Sequence, residues 1–123
     1  MRNDHSIQET NKKESVGMSE IIFILFLHWI GDFILQSDWM AKNKSKSNKA
    51  LLIHTSVYCL PLFIFGWKFA LINMILHTIT DYFSSRVSSK LYAKNEIHWF
   101  FVVVGLDQFI HTACLILTLG SLR

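Results

Sequence analysis

Cysteine, proline and charged residues are scarce in this chain of 123 residues. Its two cysteines, Cys59 and Cys114, lie in apolar segments without CxxC spacing, so we expect packing residues instead of a disulfide or a metal pair. The single proline, Pro61, falls inside an apolar segment, where it would free a carbonyl group and kink a helix. Among the five glycines, Gly31 and Gly105 lie in apolar segments and should permit close helix approach. The absence of a glycine-rich phosphate loop, a GxSxG elbow, an HExxH motif or a nucleic-acid-binding module argues against the common soluble enzymes.

Hydrophobic residues make up 51% of the chain, and they are gathered into four blocks. The blocks cover residues 21–35, 50–65, 69–83 and 97–119. Each block with its flanks can reach the roughly 20 residues that cross about 30 Å of hydrocarbon. We therefore predict an all-α integral membrane protein, a four-helix bundle with antiparallel spans at about residues 19–41, 49–66, 68–91 and 97–120. Residues 1–17 are polar, of mixed charge and without hydrophobic period, which predicts a flexible tail ahead of a domain at residues 18–123.

The positive charges are concentrated in two of the three predicted connections. They are Lys42, Lys44, Lys46 and Lys49 in the first connection, and Arg86, Lys90 and Lys94 at or beyond the end of the third span. The second connection carries only Lys68. Because cytoplasmic loops are rich in lysine and arginine, we expect a multi-pass membrane protein with both lysine-bearing connections in the cytoplasm and both termini outside. The expected partners of the lysine-rich loop are anionic lipid headgroups, and no nucleic acid is expected despite the net charge of +3.

Polar residues recur every four positions along the apolar blocks, which places them on one face of each helix. They are His28, Asp32 and Gln36 in the first block, His54 and Tyr58 in the second, Asn73, His77 and Asp81 in the third, and Asp107, Gln108 and His111 in the fourth. The order of aspartate and histidine is reversed in the fourth block, which runs in the opposite direction to the first and third. The pattern predicts that histidines and aspartates from separate spans meet inside the bundle.

The predicted depths support this meeting. Counted from the cytoplasmic ends of the spans, a layer at roughly 13 to 16 Å contains Asp32, Asp81, Asp107 and Tyr58. A second layer, at about 20 to 22 Å, contains His28, His77 and His111. A third level, about 8 to 9 Å deep, contains His54 and Gln36.

Imidazoles and carboxylates that converge in a bundle are a ligand set for divalent zinc, manganese or iron. The predicted metal ligands are His28, Asp32, His77, Asp81, Asp107 and His111. The predicted catalytic residues are Asp32, His77 and Asp81. The residues predicted to support the ligands or contact a substrate are Gln36, His54, Tyr58, Gln108, Lys42 and Lys46. Such a centre could activate water for attack on a phosphoester or acyl bond of a lipid-like substrate.

Two other interpretations remain open. Histidine–aspartate hydrogen bonds between helices could serve as structural glue, but each contributes only about 0.6 to 2 kcal/mol. Inserting one aspartate costs about 2.5 to 3.5 kcal/mol, so a bound cation accounts for the burial better. A ladder of aspartate, histidine and tyrosine also describes a proton or ion pathway. Four short helices are few for a carrier, although a homo-oligomer would supply more.

Four segments of the chain resemble a family of small integral membrane proteins of bacteria and phages that is catalogued as a domain of unknown function. The segments are HWIGDFILQSDWMAKNKSK, ALLIHTSVY, HTITDYFSSR and LDQFIH, and the resemblance covers about residues 22–112. The recurrent polar positions of the family match His28, Asp32, Gln36, Lys42, Lys46, His54, His77, Asp81, Asp107, Gln108 and His111. The resemblance implies residence in the bacterial inner membrane and a shared polar signature, without an established activity.

Overall fold

The computed structural model describes residues 16–122, and all secondary structure within this range is helical. The five α-helices are α1 (Met18–Trp29), α2 (Asp38–Asn43), α3 (Asn48–Cys59), α4 (Trp67–Ala93) and α5 (Ile97–Leu122). A π-helical turn, Ile30–Ile34, extends α1, and a 3-10 turn, Leu60–Phe65, extends α3. The predicted all-α class is confirmed. Most of the predicted tail, residues 1–15, lies outside the described range.

The helical run predicted for residues 19–41 is divided into two pieces. After the π-helical turn, Ser37 adopts an extended conformation with ψ 162°, and its hydroxyl accepts a hydrogen bond from the Met40 amide at 3.2 Å. Ser47 caps α3 in the same way, accepting from the Ala50 amide at 3.4 Å. Serine is a favoured cap because its oxygen replaces a missing intrahelical acceptor. The lysine-rich connection therefore contains the short helix α2.

The α-helix becomes a 3-10 turn at Pro61, which supplies no backbone donor. Pro61 follows Leu60, whose amide bonds the Val57 carbonyl three residues back, and the chain continues as the 3-10 turn. Proline has no N–H to continue an α-helical ladder. Gly66, at φ 118°, is the single residue between this turn and α4, and this backbone conformation favours glycine.

The interior has an apolar end and a polar end. The apolar cluster consists of Ile24, Leu27, Tyr58, Leu62, Phe69, Ala70, Leu115 and Leu119. The buried polar side chains are His28, Asp32, His54, Thr55, Asn73, His77, Asp81, Ser85, Asp107 and His111. Large apolar side chains lie on the outside instead, including Phe83, Phe101, Phe109 and Leu117. This distribution is the reverse of the usual one in a water-soluble domain.

Two helical stretches are long and apolar enough to cross a membrane, Asn48–Phe65 and Ile97–Leu122. The other two predicted spans do not meet this criterion as continuous helices within residues 16–122. The first is divided after Ile34, and the third carries charged residues along α4, among them Arg86 and Lys90. Length and composition alone thus identify half of the predicted spans.

The two glycines of the predicted spans differ in their surroundings. A Cβ atom added to Gly31 would lie 3.0 Å from the Tyr58 backbone oxygen and 3.0 Å from its ring. The close approach predicted at Gly31 is therefore confirmed. A Cβ added to Gly105 would meet nothing within 4 Å, so the same prediction for Gly105 is wrong. Glycine at position 105 is exposed on the outer face of α5.

We expect Gly31→Ala to destabilise the fold by about 1 to 3 kcal/mol, because the added methyl group must displace the backbone of α3. The matched control is Gly105→Ala, which should leave the melting temperature unchanged or raise it, since alanine favours a helix interior more than glycine does. Thermal unfolding in detergent, followed by circular dichroism, measures both. Equal melting temperatures for the two variants would contradict the close packing at Gly31.

Candidate metal centre

Four buried side chains from three elements bring their ligand atoms together. Asp32 lies in the π-helical turn, His54 in α3, and His77 and Asp81 one turn apart in α4. His54 Nε2 lies 3.0 Å from Asp32 Oδ1, 3.2 Å from Asp81 Oδ2 and 3.2 Å from His77 Nε2. His77 Nε2 lies 3.2 Å from Asp81 Oδ2 and 3.5 Å from Asp32 Oδ1. These atoms outline a tetrahedron.

The edge lengths of this tetrahedron match a metal site. Zinc held at about 2.0 to 2.1 Å by four nitrogen and oxygen ligands places those ligands about 3.3 Å from one another. Five of the six atom pairs lie within 3.0–3.5 Å, and all four residues offer ligand atoms within 4.8 Å of one another. These five distances are compatible with a metal ion held by the four residues.

Hydrogen bonding alone does not satisfy this group. A neutral imidazole nitrogen offers either one hydrogen or one lone pair. If His54 Nε2 and His77 Nε2 both carry hydrogen, the two N–H groups oppose each other at 3.2 Å. If only one of them carries hydrogen, it can donate to the other nitrogen, but the lone pair of that second nitrogen also lies 3.2 Å from Asp81 Oδ2. A cation at the centre would be attracted to the lone pairs of all four atoms together.

A second group shares carboxylates with the first. Asp32, Asp107 and His111 offer ligand atoms within 4.8 Å of one another. His111 Nε2 lies 3.1 Å from Asp107 Oδ2 and 3.0 Å from Asp81 Oδ1. The two oxygens of Asp81 thus face different groups, since its Oδ2 belongs to the tetrahedron. The arrangement offers two adjacent positions for a divalent ion.

Two neighbouring polar groups contact the carboxylates from the side. The Lys44 ammonium lies 3.2 Å from Asp81 Oδ2, and its side chain is 19% exposed. Ser84 donates a short hydrogen bond to Asp107 Oδ1. Lys44 was not among the residues predicted for the site. Its position in the lysine-rich segment suggested only a cytoplasmic loop, because a long flexible side chain gives no periodic signal of where its end lies.

His28 was predicted to be a metal ligand and His54 to support the ligands, but their contacts indicate the opposite roles. His28 Nδ1 lies 2.8 Å from the Tyr58 hydroxyl, and His28 Nε2 lies 2.7 Å from Gln108 Oε1. With Tyr58 donating to Nδ1 and Nε2 donating to the amide oxygen, His28 has no lone pair free for a metal. Gln108 in turn donates to Asp32 Oδ2 at 3.0 Å and to Asp107 Oδ2 at 3.1 Å. His28 thus orients the carboxylates through Gln108, whereas His54 stands among the possible ligands.

The predicted layers also merge into one cluster. His54 was placed at a separate level nearer the cytoplasm, yet its Nε2 contacts both Asp32 and Asp81. The His77 ring stacks on His111 at 3.8 Å and lies 4.0 Å from the Tyr58 ring. Counting along a helix axis locates Cα atoms only, and imidazole and phenol side chains extend several ångströms from them.

The remaining predicted residues lie beside the cluster, around a cavity. Gln36, Lys42 and Lys46 all line this cavity, together with Asp32 and Asp107. Gln36 Oε1 is buried and has no hydrogen-bond partner among the described residues. These three residues are therefore near the candidate centre but outside both groups of possible ligands.

Comparison with known proteins identifies the family of the chain and nothing closer. The chain belongs to the family described as "Protein of unknown function (DUF3307)", whose sequence model matches residues 21–122. This match confirms the resemblance to a domain of unknown function and includes every residue of the candidate centre. No curated protein and no solved structure gives a significant match.

We expect Tyr58→Phe to lower stability and leave metal content unchanged. The change removes the hydroxyl that bonds His28 Nδ1, and an unsatisfied buried polar group costs about 1 to 3 kcal/mol. Tyr82→Phe is the control, because it removes the same atom from a side chain that is 40% exposed on α4. Thermal unfolding and elemental analysis of both variants measure the effect. Loss of metal from Tyr58→Phe would contradict a supporting role outside the ligand set.

Proposed function

We propose that this chain is a multi-pass protein of the bacterial inner membrane that binds a divalent metal ion and hydrolyses a lipid or lipid-linked ester. The observation that carries the proposal is the tetrahedron formed by His54, His77, Asp32 and Asp81, with five edges of 3.0–3.5 Å. Zinc, manganese and iron all accept this mixture of imidazole and carboxylate ligands.

The charge of the interior supports a bound cation. Asp32, Asp81 and Asp107 are between 1% and 7% exposed and lie within one cluster. Ionised carboxylates are costly to bury unless a positive charge balances them. Lys44 is the single lysine or arginine that contacts them among the described residues. A divalent ion would supply the charge that one ammonium group leaves unbalanced.

The outer surface supports insertion into a membrane. Phe83, Phe101 and Phe109 are each at least 64% exposed, and they lie on α4 and α5 among other apolar side chains. Contiguous apolar surface of this kind marks contact with lipid or with another protein. Asp81 and Asp107 are buried at the level of the helices where Phe83 and Phe109 are exposed. Polar side chains inside and apolar side chains outside are the arrangement that contact with lipid favours.

The proposed reaction is the addition of water across an ester bond. The oxygen of water forms a bond to phosphorus or to an acyl carbon, and the bond from that atom to the alcohol oxygen breaks. The proton lost by water goes to a carboxylate or imidazole of the cluster, and the alcohol oxygen gains a proton. A divalent ion at the centre would lower the cost of deprotonating water. With one ion bound in the tetrahedron, Asp107 and His111, which lie 3.1 Å apart beside Asp81, could hold the transferred proton.

A proton or ion pathway is the second candidate function. Hydrogen bonds connect Tyr58 through His28 and Gln108 to Asp32, which is the continuity that a proton relay needs. Beyond Tyr58, however, lies the apolar cluster with Leu62 and its fully buried neighbours. Asn73, a buried polar residue among these apolar side chains, bonds the Phe69 carbonyl and the Thr118 hydroxyl. A route across the membrane would have to continue past this apolar cluster, which favours a site of chemistry.

Elemental analysis of the detergent-purified protein tests metal binding. We expect stoichiometric divalent metal in the wild type. His54→Gln and His77→Gln should each weaken metal binding by more than about a hundredfold. Loss of a residue that only orients a ligand weakens metal binding by at most about that factor. His28→Gln should weaken it less. His98→Gln, at an exposed histidine near the start of α5, is the control and should bind as the wild type does.

The outcomes of this experiment separate the candidate functions. Wild-type protein without stoichiometric metal would overturn the proposal and favour the relay or the structural role of histidine–aspartate hydrogen bonds. Circular dichroism identifies any variant that has simply unfolded. Equal losses in His28→Gln and His54→Gln would contradict the assignment of ligands, although metal binding itself would stand.

Labelling of single cysteines tests the membrane topology. The background variant lacks Cys59 and Cys114, and the cells have a permeabilised outer membrane and an intact inner membrane. A membrane-impermeant maleimide should then label Lys68→Cys. Lys94→Cys should react only after the inner membrane is permeabilised, because the lysine-rich connections are expected in the cytoplasm. The two positions are matched, since both are exposed lysines next to helix ends. Labelling of both from outside, or recovery of the protein in the soluble fraction, would overturn this topology.

A further inference from the structure

A cavity of about 650 Å³ lies against the cluster, and its lining includes Lys42, Lys44 and Lys46 from α2 and the segment after it. We propose that this cavity binds the phosphate group of a phosphate monoester, with Lys44 as the main cationic contact. The inference rests on the proposed function, because a metal ion must balance the carboxylates before an anion can approach them. It narrows the bond that is hydrolysed from a phosphate or acyl ester to a phosphate monoester.

The cavity connects the protein surface to the cluster. Lys42 and Lys46 are exposed, whereas Asp32 is 3% and Ser85 is 7% exposed, and all four residues line it. Its volume is within the range of about 300 to 1,000 Å³ that is usual for small-molecule sites. A ligand can therefore enter past the lysines and reach the carboxylates of the candidate centre.

The charges of the lining favour phosphate over a neutral acyl ester. Lysine binds phosphate as a compact point charge with three donors. An acyl ester carries no charge, and it would gain little from three ammonium groups at the entrance. A phosphate monoester carries up to two negative charges, which match the lysines at the rim and a divalent ion at the inner end.

Buried polar atoms of the lining lack partners that a phosphate would supply. Ser85 Oγ and Gln36 Oε1 are buried, and neither has a hydrogen-bond partner within the described part of the chain. Unpartnered buried polar groups are rare in folded proteins. The Ser85 hydroxyl can donate to a phosphate oxygen, and the Gln36 amide can do so after a flip that exchanges its nitrogen and oxygen.

Lys44 links the metal to the phosphate. Its ammonium lies 3.2 Å from Asp81 Oδ2, the oxygen that also faces His54 and His77. A divalent ion held by these residues would balance Asp81 in place of Lys44 and would repel the ammonium group. The flexible lysine stem then allows the charge to turn into the cavity that it already lines. Phosphate should consequently bind the metal-loaded protein and not the metal-free protein.

Apolar side chains complete the cavity wall. Phe33 and Tyr92 line it and are 51% and 63% exposed, and Phe100 and Val104 lie beside them. These side chains can contact the alcohol part of an ester. The phosphate group is the shared chemistry of two sources, a lipid headgroup in the membrane and a soluble phosphate ester, and the experiment distinguishes between them.

Calorimetric titration of the metal-loaded, detergent-purified protein with inorganic phosphate tests the inference. We expect saturable binding that is lost when the metal is stripped. Lys44→Gln should weaken phosphate binding by at least about tenfold while metal content is unchanged, since it removes a charge-assisted hydrogen bond. Lys49→Gln is the matched control, because Lys49 is an exposed lysine nearby that is not part of the cavity lining. Ser85→Ala should also weaken phosphate binding.

Nanodiscs of phosphatidylcholine, with and without phosphatidic acid, identify the source of the phosphate. If inorganic phosphate binds more weakly in nanodiscs that contain phosphatidic acid than in those that lack it, the site binds a lipid headgroup. If phosphate binds equally in both, the site binds a soluble ester. Metal-loaded protein that binds no phosphate would overturn this inference and leave the proposed function intact. Equal affinities of Lys44→Gln and Lys49→Gln would overturn it as well. Protein without metal would overturn both.

Discussion

The balance of buried negative charge is the constraint on which this structure depends. Asp81 shows it most clearly, because its two oxygens are contacted by His54, His77, His111 and Lys44. These groups come from α3, α4, α5 and the lysine-rich connection, so one carboxylate joins most of the fold. Removing a partner from such a cluster leaves charge uncompensated in a low dielectric, which is far more costly than losing a surface ion pair. Polar contacts therefore hold the helices in register at this end of the bundle, and the buried apolar cluster packs them together at the other.

Much of the fold follows from local sequence patterns. The polar residues at four-residue spacing, such as His77 and Asp81, reveal a helix and its inner face without knowledge of any partner. The division of the first predicted span is different. It depends on capping by Ser37 and on the π-helical turn at Ile30–Ile34, where Gly31 packs against Tyr58. A continuous apolar sequence contains no sign of such a contact between distant segments.

The sequence was sufficient to predict most of the residues that converge in the candidate site. It was not sufficient to predict which of them contact one another. Histidine and aspartate in apolar helices are costly to bury, so their convergence could be anticipated. Whether His28 or His54 stands among the possible ligands depends on helix rotation and on which partner satisfies each ring nitrogen. Gln108 and Tyr58 take both nitrogens of His28, and this leaves His54 to face the carboxylates. Lys44 was not predicted for a related reason. The position of its ammonium group depends on the conformation of a long, flexible side chain.

The candidate centre is closed at one end of the bundle and open to a cavity at the other. Toward Tyr58, the interior is closed by an apolar cluster that includes Leu62, Phe69 and Leu115, each fully buried. Toward the lysine-rich connection, it opens into the cavity beside Asp32 and Asp107. Water, substrate and product would then share one entrance, which suits a reaction completed on one side of a membrane. A carrier must instead expose its site to both sides in turn, so transport would require this apolar end to open. The same asymmetry keeps the carboxylates away from bulk water on one side, which strengthens their attraction for any cation that reaches them.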